Sequence, residues 1–148
     1  MKPLLNSVIS TKSGLDTIPV RVGAGVIFAA HGAQKLFGWF GGYGLEGTAG
    51  WMASIGLEPG MLLAALAGSA EFFGGLLLII GLLVRPAALM LAVTMVVAIY
   101  TVHLDNGLFM ANNGYEFGLA LLVISAGLVF RGAGSLSADR VLQSKLPS

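Results

Sequence analysis

The chain has 148 residues, of which 56% are hydrophobic and only 10% charged, with a mean hydropathy of +0.88 and a formal net charge of +1. It is far too apolar for an ordinary soluble domain of this size, so an integral membrane protein is expected. No basic cluster with interleaved aromatics occurs, which sets nucleic-acid binding aside. The lack of cysteine removes disulfides, thiol relays, iron–sulfur ligation and covalent haem attachment.

Residues 1–17 read as a polar, mobile segment on the cytoplasmic side, and Asp16 or Thr17 followed by Pro19 marks a helix start. A first span is expected from about Ile18 to Phe40. It continues past Ala33 through Leu36, Phe37 and Trp39 with no A-x-A site, so it reads as an uncleaved span rather than a signal peptide. Its face at Gly25, Ala29 and Ala33 is small enough for a neighbouring helix to approach closely. The glycine-rich stretch 39–59 carries Trp39, Tyr43 and Trp51, aromatics suited to a membrane surface, and residues 48–55 read as a short interfacial helix. Tyr43 between glycines resembles a potassium filter only superficially, since the preceding Thr-Val is missing.

A second span, Gly60 to Val84, has Glu71 as its one charge, on the same face as Ala64, Gly68 and Gly75. Arg85-Pro86 then makes a turn with proline at the first position of the next helix. The third span, Pro86 to Leu104, is apolar until Tyr100, Thr101 and His103. The fourth has Phe117 to Phe130 as its unbroken apolar part, about 21 Å of helix, which draws Asn112, Asn113 and Glu116 toward the membrane surface. Residues 132–148 form a polar cytoplasmic tail. Lys2, Lys12, Arg21, Arg85, Arg131, Arg140 and Lys145 all fall on one side of this arrangement, and the two opposite loops contain no Lys or Arg. The expected fold is therefore an all-α, integral membrane four-helix bundle spanning residues 18–131, with both termini cytoplasmic.

Ionisable groups inside hydrocarbon need a partner, water or a proton, and an unpaired Glu or Lys at mid-span costs about 2.5–3.5 kcal/mol. His31 and Lys35 share a helix face, with Gln34 beside them. Counting inward at 1.5 Å per residue puts His31 and Glu71 about 13 and 16 Å deep, and Lys35 and Glu116 on a shallower tier about 6–7 Å deep. His103 and Tyr100 come out at the rim. Glu71 is expected to pair with His31 or Lys35, or to hold a proton. His31 and Glu71 are the catalytic candidates; Gln34, Lys35, Tyr100, His103, Asn113 and Glu116 are the binding candidates. Structural alternatives exist: Lys35 can snorkel, His103 can be interfacial, and Asn113 with Glu116 fits a capping box. Only Thr94 and Ser125 are polar in the inner half, so the pocket is expected to be blind, opening outward or sideways. No metal site is expected. Glu-x-x-His is absent, and the two histidines differ in estimated depth by about 10 Å or more, awkward for one haem.

Four stretches together resemble the DoxX/DoxD-like family: His31-Gly32-Ala33-Gln34-Lys35-Leu36-Phe37-Gly38, the loop from Gly41-Gly42-Tyr43-Gly44 to Gly56, Glu71-Phe72-Phe73-Gly74-Gly75, and Asn112-Asn113-Gly114-Tyr115-Glu116. The similarity covers most of the chain from Arg21 to Arg140. It implies a four-helix bundle in the bacterial cytoplasmic (inner) membrane, in a family associated with quinone-linked oxidoreductase systems. Quinone is thus an implication of the family, and no intrinsic cofactor is evident in the chain. Three functions follow as expectations: a quinone-linked oxidoreductase or quinone-binding subunit, a small-solute transporter or permease, or a non-catalytic scaffold docking redox partners through the Gly25/Ala29/Ala33 face. Expected partners are the lipid bilayer, a quinone or other small apolar ligand, and a redox protein; whether the chain is a homo-oligomer, and whether it is itself the catalyst, stay open.

Overall fold

The computed structural model describes residues 2–12 and 14–145; residues 1, 13 and 146–148 of the expected terminal segments lie outside the described residues. The described residues are all helical or irregular, with α1 at Lys2–Ile9, α2 at Thr17–Phe37, α3 at Gly44–Ser54, α4 at Gly60–Ile80, α5 at Val84–Ala98, α6 at Glu116–Arg131 and α7 at Ala138–Lys145. After α5 the chain widens into a π-helical turn over Ile99–His103 and tightens again over Leu104–Asn106. Two helices are long and apolar enough to cross a membrane, Gly60–Ile80 and Val84–Asn106. The 21 residues of α4 span about 31 Å, close to the hydrocarbon thickness of a bilayer.

The four longest helices pack in a circuit, α2 on α4, α4 on α5, α5 on α6, with α6 meeting α2 only sparsely. The α2–α4 contact is close because its surfaces lack side chains. A Cβ on Gly32 would run into the backbone of Phe72 and Gly68, and one on Gly75 would strike Ala29 N at 2.5 Å. The small-residue face of Gly25, Ala29 and Ala33 is therefore spent on α4 within the chain, not left for a docking partner as one expectation had it. Between α2, α4, α5 and α6 lies the core, with Phe28, Leu78, Val84, Ala88 and Leu91 almost wholly enclosed. The opposite helix faces expose Leu62, Leu66, Phe73, Leu89, Val93, Val97 and Val123. In water such surface would be a liability; against lipid it is the required solvent-facing composition.

Several boundaries differ from expectation for local reasons. Helix α2 stops at Phe37 because Gly38 takes a left-handed φ of 71°. Helix α4 stops at Ile80, where Gly81 (φ 74°) returns its N–H to Leu77 O and Leu78 O. Helix α5 begins at Val84, so Pro86 is the third residue of the helix rather than the first, still within the turn whose N–H groups lack helical acceptors. The helix expected over residues 48–55 begins earlier, at Gly44.

The terminal segments are ordered rather than loose. Ile9 of α1 is buried, and α1 packs on α7 and α5. Arg21, expected on the cytoplasmic surface, is 3% exposed. Its guanidinium donates to Ala133 O (3.0 Å), Leu78 O (2.9 Å), Ile79 O (2.6 Å) and Leu136 O. Asp139 of α7 is equally buried and accepts from Leu83 N (2.7 Å) and Val84 N (3.0 Å), the first turn of α5. Burial pushes the Asp139 carboxyl up from its ordinary value, opposed by those two backbone bonds and by nearby Arg21 and Arg85. Beside this knot, Arg131 grips Asp16 through two bonds of 3.0 Å. That contact holds the Asp16 carboxyl below its usual value. The tail thus closes one end of the helix circuit, here called the terminal end.

Candidate functional site

At the other end, the loop end, a cavity of about 140 Å³ opens between α2, α4, α5 and α6. Its polar wall comes from Lys35 and Glu71, whose Nζ and Oε2 are 2.5 Å apart. Glu71 is 3% exposed. It is carried there by the same close-packed face of α4 that bears Gly68 and Gly75, so the carboxylate points at α2 rather than outward. Lys35 is the partner that Glu71 finds; His31 is not. Counting along the axis put Lys35 on a shallower tier, but its four-carbon stem reaches down a helical turn to the carboxylate. The backbone beneath is fixed by α3, where buried Thr48 donates to Lys35 O at 3.3 Å.

His31 also lines the cavity, one turn along α2 from Lys35, and its ring meets Phe117 of α6 at 6.0 Å. Its imidazole forms no hydrogen bond among the described residues, and the residue is exposed. The floor is Phe28, Met95 and Leu121, all buried core residues. Met110, Asn113 and Gly114 of the loop before α6 line the opposite end and roof the cavity.

The roof is a built object. Tyr115 N bonds Gly107 O (3.0 Å), and Glu116 N bonds Leu108 O (2.8 Å). His103 Nδ1 lies 2.9 Å from Asn113 O, and Asn113 adopts φ 59°. Glu116 accepts from Met110 N at 2.6 Å and so holds the loop rather than pairing with Lys35. The capping box expected from Asn113 and Glu116 does not form, because Glu116 is itself the first residue of α6 and Tyr115 occupies the cap position.

Of the eight candidate residues, His31, Lys35, Glu71, His103 and Asn113 converge on the cavity, with Glu116 bracing its roof. Gln34 and Tyr100 do not line it. Gln34 is covered by Gly42 and reaches Phe40 O at 3.3 Å, anchoring the glycine-rich loop. Tyr100 is 75% exposed, turned outward by the π-helical turn, which shifts the register of every residue after Ala98. The sequence did not single out Phe28 and Phe117; Phe28, three residues before His31, carried a usable signal in helical spacing.

A family model described as DoxX matches residues 17–104. The chain belongs to the DoxX family. The matched range contains His31, Lys35, Glu71 and His103 and ends before Met110, Asn113 and Glu116. Among similar proteins, a Bacillus subtilis (strain 168) protein named "Putative oxidoreductase CatD" is 36% identical over 125 residues, 84% of this chain and 85% of its own. Two Haemophilus influenzae proteins described as uncharacterized also match. One is 32% identical over 127 residues, covering 81% of this chain and 85% of its own; the other is 37% identical over 79 residues, covering 53% and 52%. No solved structure matches. For a DoxX-family chain, membrane association agrees with the two span-length helices and with the apolar outer faces of the others.

Proposed function

We propose that this DoxX-family protein is a membrane oxidoreductase component that binds a quinone in the loop-end cavity, with α2, α4, α5 and α6 all crossing the bacterial inner membrane. The observation that carries it is the ion pair of buried Glu71 with part-exposed Lys35 on the wall of a cavity whose floor is apolar, with the imidazole of His31 beside it. Kinship to a protein named as an oxidoreductase supports the redox direction. The clustering of Arg21, Arg85 and Arg131 at the terminal end supports placing that end, and with it both termini, in the cytoplasm.

Reduction of a quinone to a quinol takes up two electrons and two protons. In this scheme Lys35 and His31 donate hydrogen bonds to a quinone oxygen, Glu71 exchanges protons with it through Lys35, and Asn113 and His103 fix the roof. The electrons come from a redox protein partner, since the chain carries no thiol and no histidine–carboxylate cluster for a metal among the described residues. The transport alternative suits the cavity less well: a transport path needs contacts on both sides of a midplane site, whereas the floor here is Phe28, Met95 and Leu121.

Gently purified protein should retain extractable quinone, measured by mass spectrometry. Glu71→Gln should lower that occupancy about tenfold, the loss of roughly one charge-assisted hydrogen bond. Wild-type protein that neither retains nor binds quinone would end the proposal.

A further inference from the structure

The cavity has a floor in the core and a roof in the loop, and of the helices packed around it α2 and α6 meet most sparsely, which makes their seam the weakest part of its wall. His31 stands at that seam, exposed, while Glu71 is buried. Between the same two helices, nearer the terminal end, lies a second, more open groove of about 250 Å³, walled by Thr17 and Val20 of α2 and Val123, Ile124, Gly127 and Leu128 of α6. Both hollows use one face of α6: Phe117, Leu121, Ile124 and Leu128 recur at three- and four-residue spacing. The Asp16–Arg131 pair closes the groove at its far end. From His31 to Asp16 the seam runs about 22 Å along α2.

We propose that the α2–α6 seam is the lateral doorway and tail slot for a lipid-soluble ligand, whose head lies between His31 and the Lys35–Glu71 pair and whose long hydrocarbon tail lies against Val20, Val123 and Gly127. This rests on the quinone-binding proposal above and adds the chemical class of the ligand: a hydrogen-bond-accepting head joined to a tail of membrane dimensions. The chemistry changes along the seam accordingly, polar at His31 and Lys35, then chiefly aliphatic along Val20, Val123, Ile124, Gly127 and Leu128 until Thr17, Asp16 and Arg131 end it. Gly127 supplies the width, since a Cβ there would meet nothing within 4 Å. Arrival from lipid also fits the roof, whose hydrogen bonds need not break to admit the ligand.

The test compares two probes in nanodiscs of fixed lipid content: a benzoquinone without side chain, and the same head carrying a long isoprenoid tail. Wild-type protein should bind the tailed probe at least tenfold more tightly. Gly127→Leu, which fills the groove, should weaken the tailed probe severalfold and leave the tailless one unchanged. Gly23→Leu, an equally open glycine outside the groove, should alter neither and so controls for folding. Tailed binding untouched by Gly127→Leu, or both probes weakened alike, overturns the tail slot while the head site stands. Wild-type protein that binds neither probe overturns the quinone proposal and the slot with it.

Discussion

Charge is buried at both ends of this helix circuit, but in opposite ways. At the terminal end Arg21 meets four carbonyls and Asp139 two backbone N–H groups, so the polar atoms are spent on holding α2, α4, α5 and the tail together. At the loop end Lys35 and Glu71 have chiefly each other, and His31 beside them bonds no described residue. Saturated burial makes a structural knot, because every donor's desolvation is offset by a fixed acceptor. Unsaturated burial in a cavity leaves donors aimed at whatever enters.

The comparison breaks most visibly at Arg21. Arg21→Met strands the carbonyls it serves and leaves Asp139 with Arg85 alone of its two nearby cations, and should cost about 3–5 kcal/mol, as removal of one partner from a buried charged network does. Thermal unfolding in detergent should show a large drop in Tm or loss of monodisperse protein. An unchanged Tm would mean that the terminal end is not the knot described. Glu71→Gln, by contrast, should shift Tm by only a few degrees, because Lys35, 26% exposed, can turn to water. Its effect should appear in ligand occupancy instead.

The double change Lys35→Met with Glu71→Leu sharpens the distinction. Replacing a buried ion pair by apolar side chains of similar size is often neutral or stabilising, so Tm should hold or rise while quinone binding disappears. Loss of stability in the double variant would assign the pair to architecture. The smallest effect concerns pH. The raised carboxyl of Asp139 means that the folded chain holds that proton more tightly than the unfolded one. Its contribution to stability is full below the unfolded value and is lost as pH rises through the folded one. Wild-type Tm should therefore fall relative to Asp139→Asn as pH goes from about 4 to 7; a gap of the opposite sign would contradict burial as the dominant influence on that group.

Much of the loop-end site was legible before any coordinates. The face shared by His31 and Lys35 and the small-residue stripe carrying Glu71 both follow from helical periodicity, and all three residues line the cavity. The pairing itself was not fixed, because axial counting ignores side-chain length, and Lys35 outreaches His31. Tyr100 does not line the cavity, and a π-helical turn leaves no pattern in an apolar stretch from which to foresee that; Glu116 holds Met110 of the roof loop, a contact that the loop makes within itself. The knot at the terminal end went unread. Arg21 and Asp139 lie 118 positions apart, one near the start of the expected first span and the other in a tail whose polarity reads as surface.

Sequence alone determined that this chain is helical, strongly apolar and charged at only a few positions, because composition and 3.6-residue spacing are local properties that no neighbour can alter. Tertiary structure decided which charges saturate one another and which stay available. That depends on how close two backbones come and how far a side chain reaches across the gap, and only the packed α2–α4 contact and the returning tail set those distances.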